Sequence, residues 1–187
     1  MQQLPGNKTS KPKITIAKAV PQDAQTLARI KQRIWLDTYQ NKELRINADD
    51  IFAKDFLCKE RIAKRAEHMQ VNDGINYTLV ARAGEHIVGY GRAIKGDEFD
   101  EIATLYILPE WQSMGIGSDL LSHLLEWLGG NRDVKLGVVQ YNLKAIRFYE
   151  KFCFTLGKKI SHAELTFSSG KDLPEVEMLK PKEKSHQ

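Results

Sequence analysis

Apolar and polar residues change their spacing repeatedly along this chain, and each change marks an element. Lys13 to Val20, KITIAKAV, alternates and predicts a strand. Pro21-Gln22-Asp23 opens a helix, since proline suits a first turn. Leu27, Ile30 and Ile34 then form one apolar stripe that runs on to Trp35 and Tyr39. Asn47 to Phe56 reads as a short second helix, with Ile51 and Phe52 inward and Asp49, Asp50 and Asp55 outward. Lys59 to Gln70 is a charged helix closed by Asp73-Gly74. Two alternating runs follow, Asn76 to Ala83 and His86 to Lys95, joined at Gly84-Glu85 and expected to pair antiparallel. After Gly96-Asp97 comes a central strand, Phe99 to Leu108, which Pro109 stops.

The next stretch organises the chain. Gln112-Ser113-Met114-Gly115-Ile116-Gly117 carries two glycines two apart. Leu120, Leu121, Leu124, Leu125 and Leu128 then recur at helical spacing until Gly129-Gly130. Val134 to Val139 is a further strand, and Asn142 to Phe152 a helix with Ala145, Ile146 and Tyr149 on one face. Thr155 to Ser161 and Glu175 to Lys180 are the last expected strands, with a long loop or broken strand from His162 to Pro174. Consecutive strands in the middle predict antiparallel pairing. The strand-helix-strand crossover from Glu101 to Val139 predicts one parallel pair.

A strand that turns through glycines into a helix is an anion site in waiting. The first amides of the helix have no partner within it, and its dipole adds positive charge there. Glycines let a bulky phosphate come close. The run lacks the GxxxxGK of a nucleotide P-loop, and Leu120 stands where the dinucleotide fingerprint has its third glycine. What remains is QxxGxG.

Composition narrows the field. A chain of 187 residues with 42% hydrophobic and 28% charged residues is a globular one of single-domain size. We expect a lead-in over 1–12, one domain over 13–180 and a charged tail over 181–187. The net charge of +4 is mixed with acids, so no stripe for nucleic acid stands out, while an anionic ligand is suited. Cys58 and Cys153 form no metal or redox motif, and the five histidines show no ligand-like spacing. No apolar run has membrane length, and the expected setting is the cytoplasm.

A second segment adds to the glycine turn: Val139-Gln140-Tyr141-Asn142, then Ala145, then Phe148-Tyr149-Glu150-Lys151-Phe152. In this order and about thirty residues apart, the two segments resemble the acyl-CoA loop and the N-x-x-A…FYE helix of the GCN5-related N-acetyltransferase (GNAT) superfamily. The likeness covers roughly Ile75 to Leu156, and the WLDTY stretch at Trp35 to Tyr39 is similar to the bacterial polyamine-acetylating branch. It implies an α+β (α/β) fold with a mixed, mostly antiparallel central sheet and helices on both faces. It implies acetyl-CoA as cofactor, held by the strand segment Leu105, Tyr106 and Ile107, by Gln112, Ser113, Met114, Gly115, Ile116, Gly117 and Ser118, and by Asn142. It implies an enzyme in which Tyr149 protonates the leaving thiolate.

Plainer readings stand beside these. Asn142 is a good helix N-cap, and Tyr149 fits as a core aromatic. Glu101 is our expected base, or else an exposed strand-end charge. Trp35 and Tyr39 are expected to line the acceptor groove, or else to be core. No metal is expected. The acceptor is expected to be a small primary amine, such as a polyamine, given the acids Asp49, Asp50, Asp55, Asp97, Glu98, Asp100 and Glu101. A protein N-terminus or lysine, and a non-catalytic acyl-CoA-binding module, are the alternatives. Neither nucleic acid nor membrane is expected as a partner, and a homodimer is left open. The chain departs from the superfamily pattern where relatives usually have glycine, at Ser113 and at Cys153.

Overall fold

A computed structural model describes residues 12–71, 73–160 and 165–183. Most of the expected lead-in, the expected strand end at Ser161, the start of the expected loop at His162 and the last four residues of the tail lie outside them. Seven strands form one sheet: β1 (Ile14–Lys18), β2 (Asn76–Ala83), β3 (His86–Ile94), β4 (Asp100–Ile107), β5 (Val134–Val139), β6 (Thr155–Ile160) and β7 (Glu175–Lys180). Their order across the sheet is β1-β2-β3-β4-β5-β7-β6. Every neighbouring pair is antiparallel except β4 and β5, which run parallel. The helices are α1 (Ala24–Thr38), α2 (Ala48–Phe52), α3 (Lys59–Gln70), α4 (Ile116–Leu128) and α5 (Leu143–Glu150). No described helix is long and apolar enough to cross a membrane.

The helices sit on both faces because the strands are apolar on both. On one face, Leu120, Leu121, Leu124 and Leu128 of α4 pack with Ile146 and Tyr149 of α5 against Leu79, Val88, Ile102 and Leu136. Burying each such leucine stabilises the fold by about 1.5–3 kcal/mol. Leu124 can press onto the sheet because residue 91 is glycine; a Cβ there would stand 2.7 Å from Leu124 Cδ1. On the other face, Leu27, Ile30 and Ile34 of α1 cover Val80, Ile87 and Tyr90. Trp35 joins Ile51, Phe56, Val139 and Phe167 in an adjoining cluster.

The α2 segment corrects two expectations. Phe52 is exposed rather than inward, and Asp50 is buried rather than outward. The helix is only five residues long, so its apolar face is set by its cap and not by periodicity. Asn47 and Asp50 form a reciprocal capping box, which turns Asp50 inward. There its carboxylate accepts hydrogen bonds from Lys171 (2.7 Å) and Ser169 (2.5 Å). The bond from Lys171, then that from Ser169 and the backbone bond from Asn47, hold Asp50 down to a pKa of about 2. These bonds fasten the segment before β7 to the α2 wall.

Ser113 and Cys153 both have φ of +64°, in the left-handed region. The chain therefore keeps the backbone that glycine would favour and bears the strain, about 1–2 kcal/mol for a residue with a Cβ. Replacing Cys153 by glycine is expected to raise the melting temperature by about 2–4 °C, equivalent to about 1 kcal/mol, in a thermal scan. Asp50 generates a pH-dependent expectation. Its folded pKa lies below the unfolded value of about 3.9, so the stability it adds is present above pH 4 and is lost as pH falls toward 2. Asp50→Asn should melt lower than the parent at pH 7, and the difference should shrink between about pH 4 and pH 2.

Candidate active site

The turn into α4 is a glycine turn at a helix start, as its sequence predicts. Gly115 caps the helix in the left-handed conformation, φ +87°. Asp119 is the first residue whose amide is paired, donating to Gly115 O at 3.0 Å. Among the described residues nothing accepts from the amides of Ser113, Met114, Gly115, Ile116, Gly117 and Ser118. Six consecutive undonated N–H groups at a helix start could hold an anion such as a diphosphate. Gln112 has a different job. Its Nε2 donates to Ile107 O at 3.1 Å, and its Oε1 accepts from Lys144 Nζ at 2.6 Å. It pins the loop to the end of β4 and holds a lysine of α5 beside the loop. Sequence reasoning passed over Lys144; its only signal is its place two residues after Asn142, at the start of a helix facing the turn.

The sheet opens just below this loop. β4 and β5 are in register only at Asp100↔Val134 and Glu101↔Lys135, although both strands continue for several residues. From there each pairs only with its outer neighbour, β3 or β7. The facing edges enclose a wedge that widens toward the glycine loop. Leu108 N–H donates to Val88 O, on the β3 side, at 2.9 Å. Backbone groups alternate along an antiparallel strand, so those of Ile107 and Leu105 face the wedge and those of Tyr106 face β3. The expected cofactor strand thus divides: Leu105 and Ile107 offer backbone groups, and Tyr106 offers its side chain to the opposite wall. A bulge makes this division. The β3–β4 register passes from Arg92↔Thr104 to Ala93↔Ile102, leaving Ala103 as the extra residue. Ile102, Leu105 and Ile107 therefore all face α4, and Tyr106 faces α1.

Four tyrosines meet at the wedge. Tyr149 of α5 is buried between Phe148 and Phe154. Burial raises its pKa, and no described residue hydrogen-bonds its hydroxyl, so the phenol keeps its proton past neutral pH. Burial first, then the nearby Glu175 carboxylate, raises the pKa of Tyr39, at the end of α1. Its hydroxyl is also close enough to interact with that of Tyr106. Tyr141 donates to Tyr39 O at 2.9 Å, and burial lifts its pKa to about 12. Trp35 stands behind them. It is buried, packs edge-on to Tyr39 and Phe56, and donates from Nε1 to Tyr106 Oη at 2.9 Å. It supports the tyrosines from the core, while Tyr39 is the one nearer the wedge. Asn142 caps α5, its Oδ1 accepting from Ala145 N at 3.2 Å.

Glu101 lies elsewhere. It occupies the closed end of the wedge, in a depression with Ile94, Asp97, Glu98, Phe99 and Lys135. No described contact brings it to Tyr149. The acids first grouped as one field also part company. Asp100 is fully buried, accepting from Gly96 N at 3.2 Å, and Asp50 is occupied by Lys171 and Ser169. No group of three or more potential metal-binding side chains occurs among the described residues.

Comparisons with known proteins agree with this geometry. A sequence model of the Acetyltransferase (GNAT) family matches residues 35–154. An uncharacterized N-acetyltransferase of Mycobacterium bovis, and its counterparts in Mycobacterium tuberculosis, are 37% identical over 99 residues. That match covers 50% of this chain and 61% of each relative, so the chain spans less than two thirds of their length. Among solved structures, the PaiA N-acetyltransferase of Thermoplasma acidophilum in complex with coenzyme A aligns over 90% of this chain and 99% of its own, with a TM-score of 0.70 and 22% identity. A putative acetyltransferase of Salmonella typhimurium with acetyl-CoA aligns over 94% and 97%, with a TM-score of 0.65 and 18% identity. At those identities the likeness shows the fold. The open wedge, the unpaired loop amides and the match across residues 35–154 agree in one conclusion: this chain belongs to the GNAT family of acetyltransferases.

Proposed function

We propose that the chain transfers the acetyl group of acetyl-CoA to a primary amine by direct attack. One observation carries this reading. Six loop amides without acceptors, at 113–118, lead directly to the backbone groups of Leu105 and the N–H of Ile107 that face the wedge, the Ile107 carbonyl being held by Gln112. A ligand matching that track has a diphosphate at one end and an extended amide-bearing arm that can pair like an added strand. Coenzyme A has both, and the Thermoplasma and Salmonella structures contain coenzyme A and acetyl-CoA. Lys144, held at the loop by Gln112, would add a positive charge to the phosphates.

The bound donor supplies an activated thioester. The chain must do the rest. A lysine-like amine has a pKa of about 10.4, so at pH 7 its neutral fraction is on the order of one in two thousand, a penalty of roughly 4–5 kcal/mol. A carboxylate or a water held by one is needed to take that proton. Glu101, the carboxylate expected from sequence, lies at the closed end of the wedge. Tyr149 is the proposed proton donor to the leaving sulfur, a reading supported by the burial that keeps its proton in place well past neutral pH. The bulged backbone at Ala103 to Leu105 offers an amide to the reacting carbonyl. No serine or cysteine nucleophile is needed.

For the acceptor we favour a small cationic amine, of which a polyamine is the expected class. The exposed acids Asp49 and Asp55 beside α2 favour a cationic acceptor.

Calorimetry should give one coenzyme A per chain, and absence of binding would remove the reading. In steady-state assays of thiol release, Tyr149→Phe should lower kcat at least tenfold, about 1.4 kcal/mol or more, with coenzyme A affinity within a few-fold of the parent. Unchanged kcat would remove Tyr149 from the acid's role. Lys144→Ala should weaken coenzyme A binding several-fold, and added salt should shrink the difference.

A further inference from the structure

Glu175 is the first residue of β7, far in sequence from both motifs. It pairs across the sheet with Val139, at the end of β5 where the wedge is wide. Its side chain does not point away from the wedge. It leans back across β5, so that a Cβ built on Gly137 would stand 2.6 Å from Glu175 Oε2 and 3.2 Å from its Cδ. The carboxylate rests on bare backbone, and only glycine at 137 leaves it that place. Gly137 is exposed, so this spot is open to solvent and not core. Gly137 shares the face of Val139, which packs beside Trp35, Tyr39, Tyr106 and Tyr141. The carboxylate thus lies on the α1 side of the wedge, opposite the α5 helix that presents Tyr149. Its charge is felt at Tyr39.

We propose that Glu175, seated over Gly137, is the acceptor-side carboxylate that holds the incoming ammonium and takes its proton. This rests on the acetyl-transfer reading above, and it moves the base from Glu101 to the open end of the wedge. The proton balance is complete. The ammonium gives one proton to Glu175, which passes it to solvent. The freed nitrogen lone pair forms the bond to the acetyl carbon of the thioester, and the carbon–sulfur bond breaks. Tyr149 gives its proton to the departing sulfur, and the second proton of the attacking nitrogen restores Tyr149. The products are an N-substituted acetamide, a thiol and one proton. Titratable groups near Glu175 include Tyr39 at the end of α1, Lys135 and Glu177 farther along the same faces of β5 and β7, and Lys159 beside it on β6, and Glu175 has a polar partner of its own that the incoming ammonium must share.

The test uses the full-length chain with acetyl-CoA and three amine probes: putrescine, free lysine, and a short peptide with an unblocked N-terminus. Glu175→Gln should lower kcat/KM for the accepted amine at least tenfold near neutral pH, with acetyl-CoA affinity within twofold of the parent. Its log kcat/KM should climb with unit slope as pH rises toward the amine's own pKa, because free amine is then the only source of nucleophile. Gly137→Ala keeps the carboxylate but fills its seat, and it should reproduce both effects. A thermal melt of each variant, within a few degrees of the parent, separates this from unfolding. If both variants keep the parent's rate and pH profile, Glu175 is not the base, and the acetyl-transfer reading stands without it. If the parent binds acetyl-CoA but releases no thiol with any of the three amines, the proposal for Glu175 fails. If the parent does not bind acetyl-CoA, both fail together.

Discussion

The structure depends on a hydrogen-bond ladder left unfinished. Parallel strands β4 and β5 meet at two residue pairs and then separate. Backbone N–H and C=O groups in a protein interior need partners, so a bare edge inside a sheet persists only where solvent or a ligand completes it. Everything else is arranged around that edge. The crossover helix α4 carries the chain from one side of the wedge to the other, and its undonated amides lie where the edge ends. The bulge at Ala103 turns Leu105 and Ile107 toward one core and Tyr106 toward the other. The tyrosines then enclose the wedge between α1 and α5.

Local chemistry made much of this legible from the residues. The α4 segment was plain because its leucines keep one face, and proline and glycines mark its ends. Strands β2, β5 and β7 fell where their alternation or apolar runs put them, and the single parallel pair followed from the crossover. The short α2 was misread because five residues give periodicity nothing to act on; its cap decided which way Asp50 and Phe52 point. The site's long-range parts were illegible for another reason. Lys144 acquires meaning through Gln112, 32 residues away, and Glu175 through a glycine on a neighbouring strand. No local pattern encodes such pairings, because they exist only once the sheet order is known. Glu101 drew attention in sequence because it begins the central strand; in space that is where the wedge is shut.

Ser113 and Cys153 show how backbone shape can outlast the residue that suits it best. Both sit in the left-handed region, one in the glycine loop before α4 and one after the helix that bears Tyr149. Neighbouring contacts over-determine the turns, so the strain is carried rather than relieved.

The interrupted ladder also divides the sheet mechanically. Strands β1 to β4 form one hydrogen-bonded plate and β5 to β7 another, stitched together at Asp100 and Glu101 and by the α4 crossover. A guest lying in the wedge and bonding to Leu105 and Ile107 would act as a splint along the weakest seam of the molecule. Its grip would be shared between recognition and the cohesion of the fold itself.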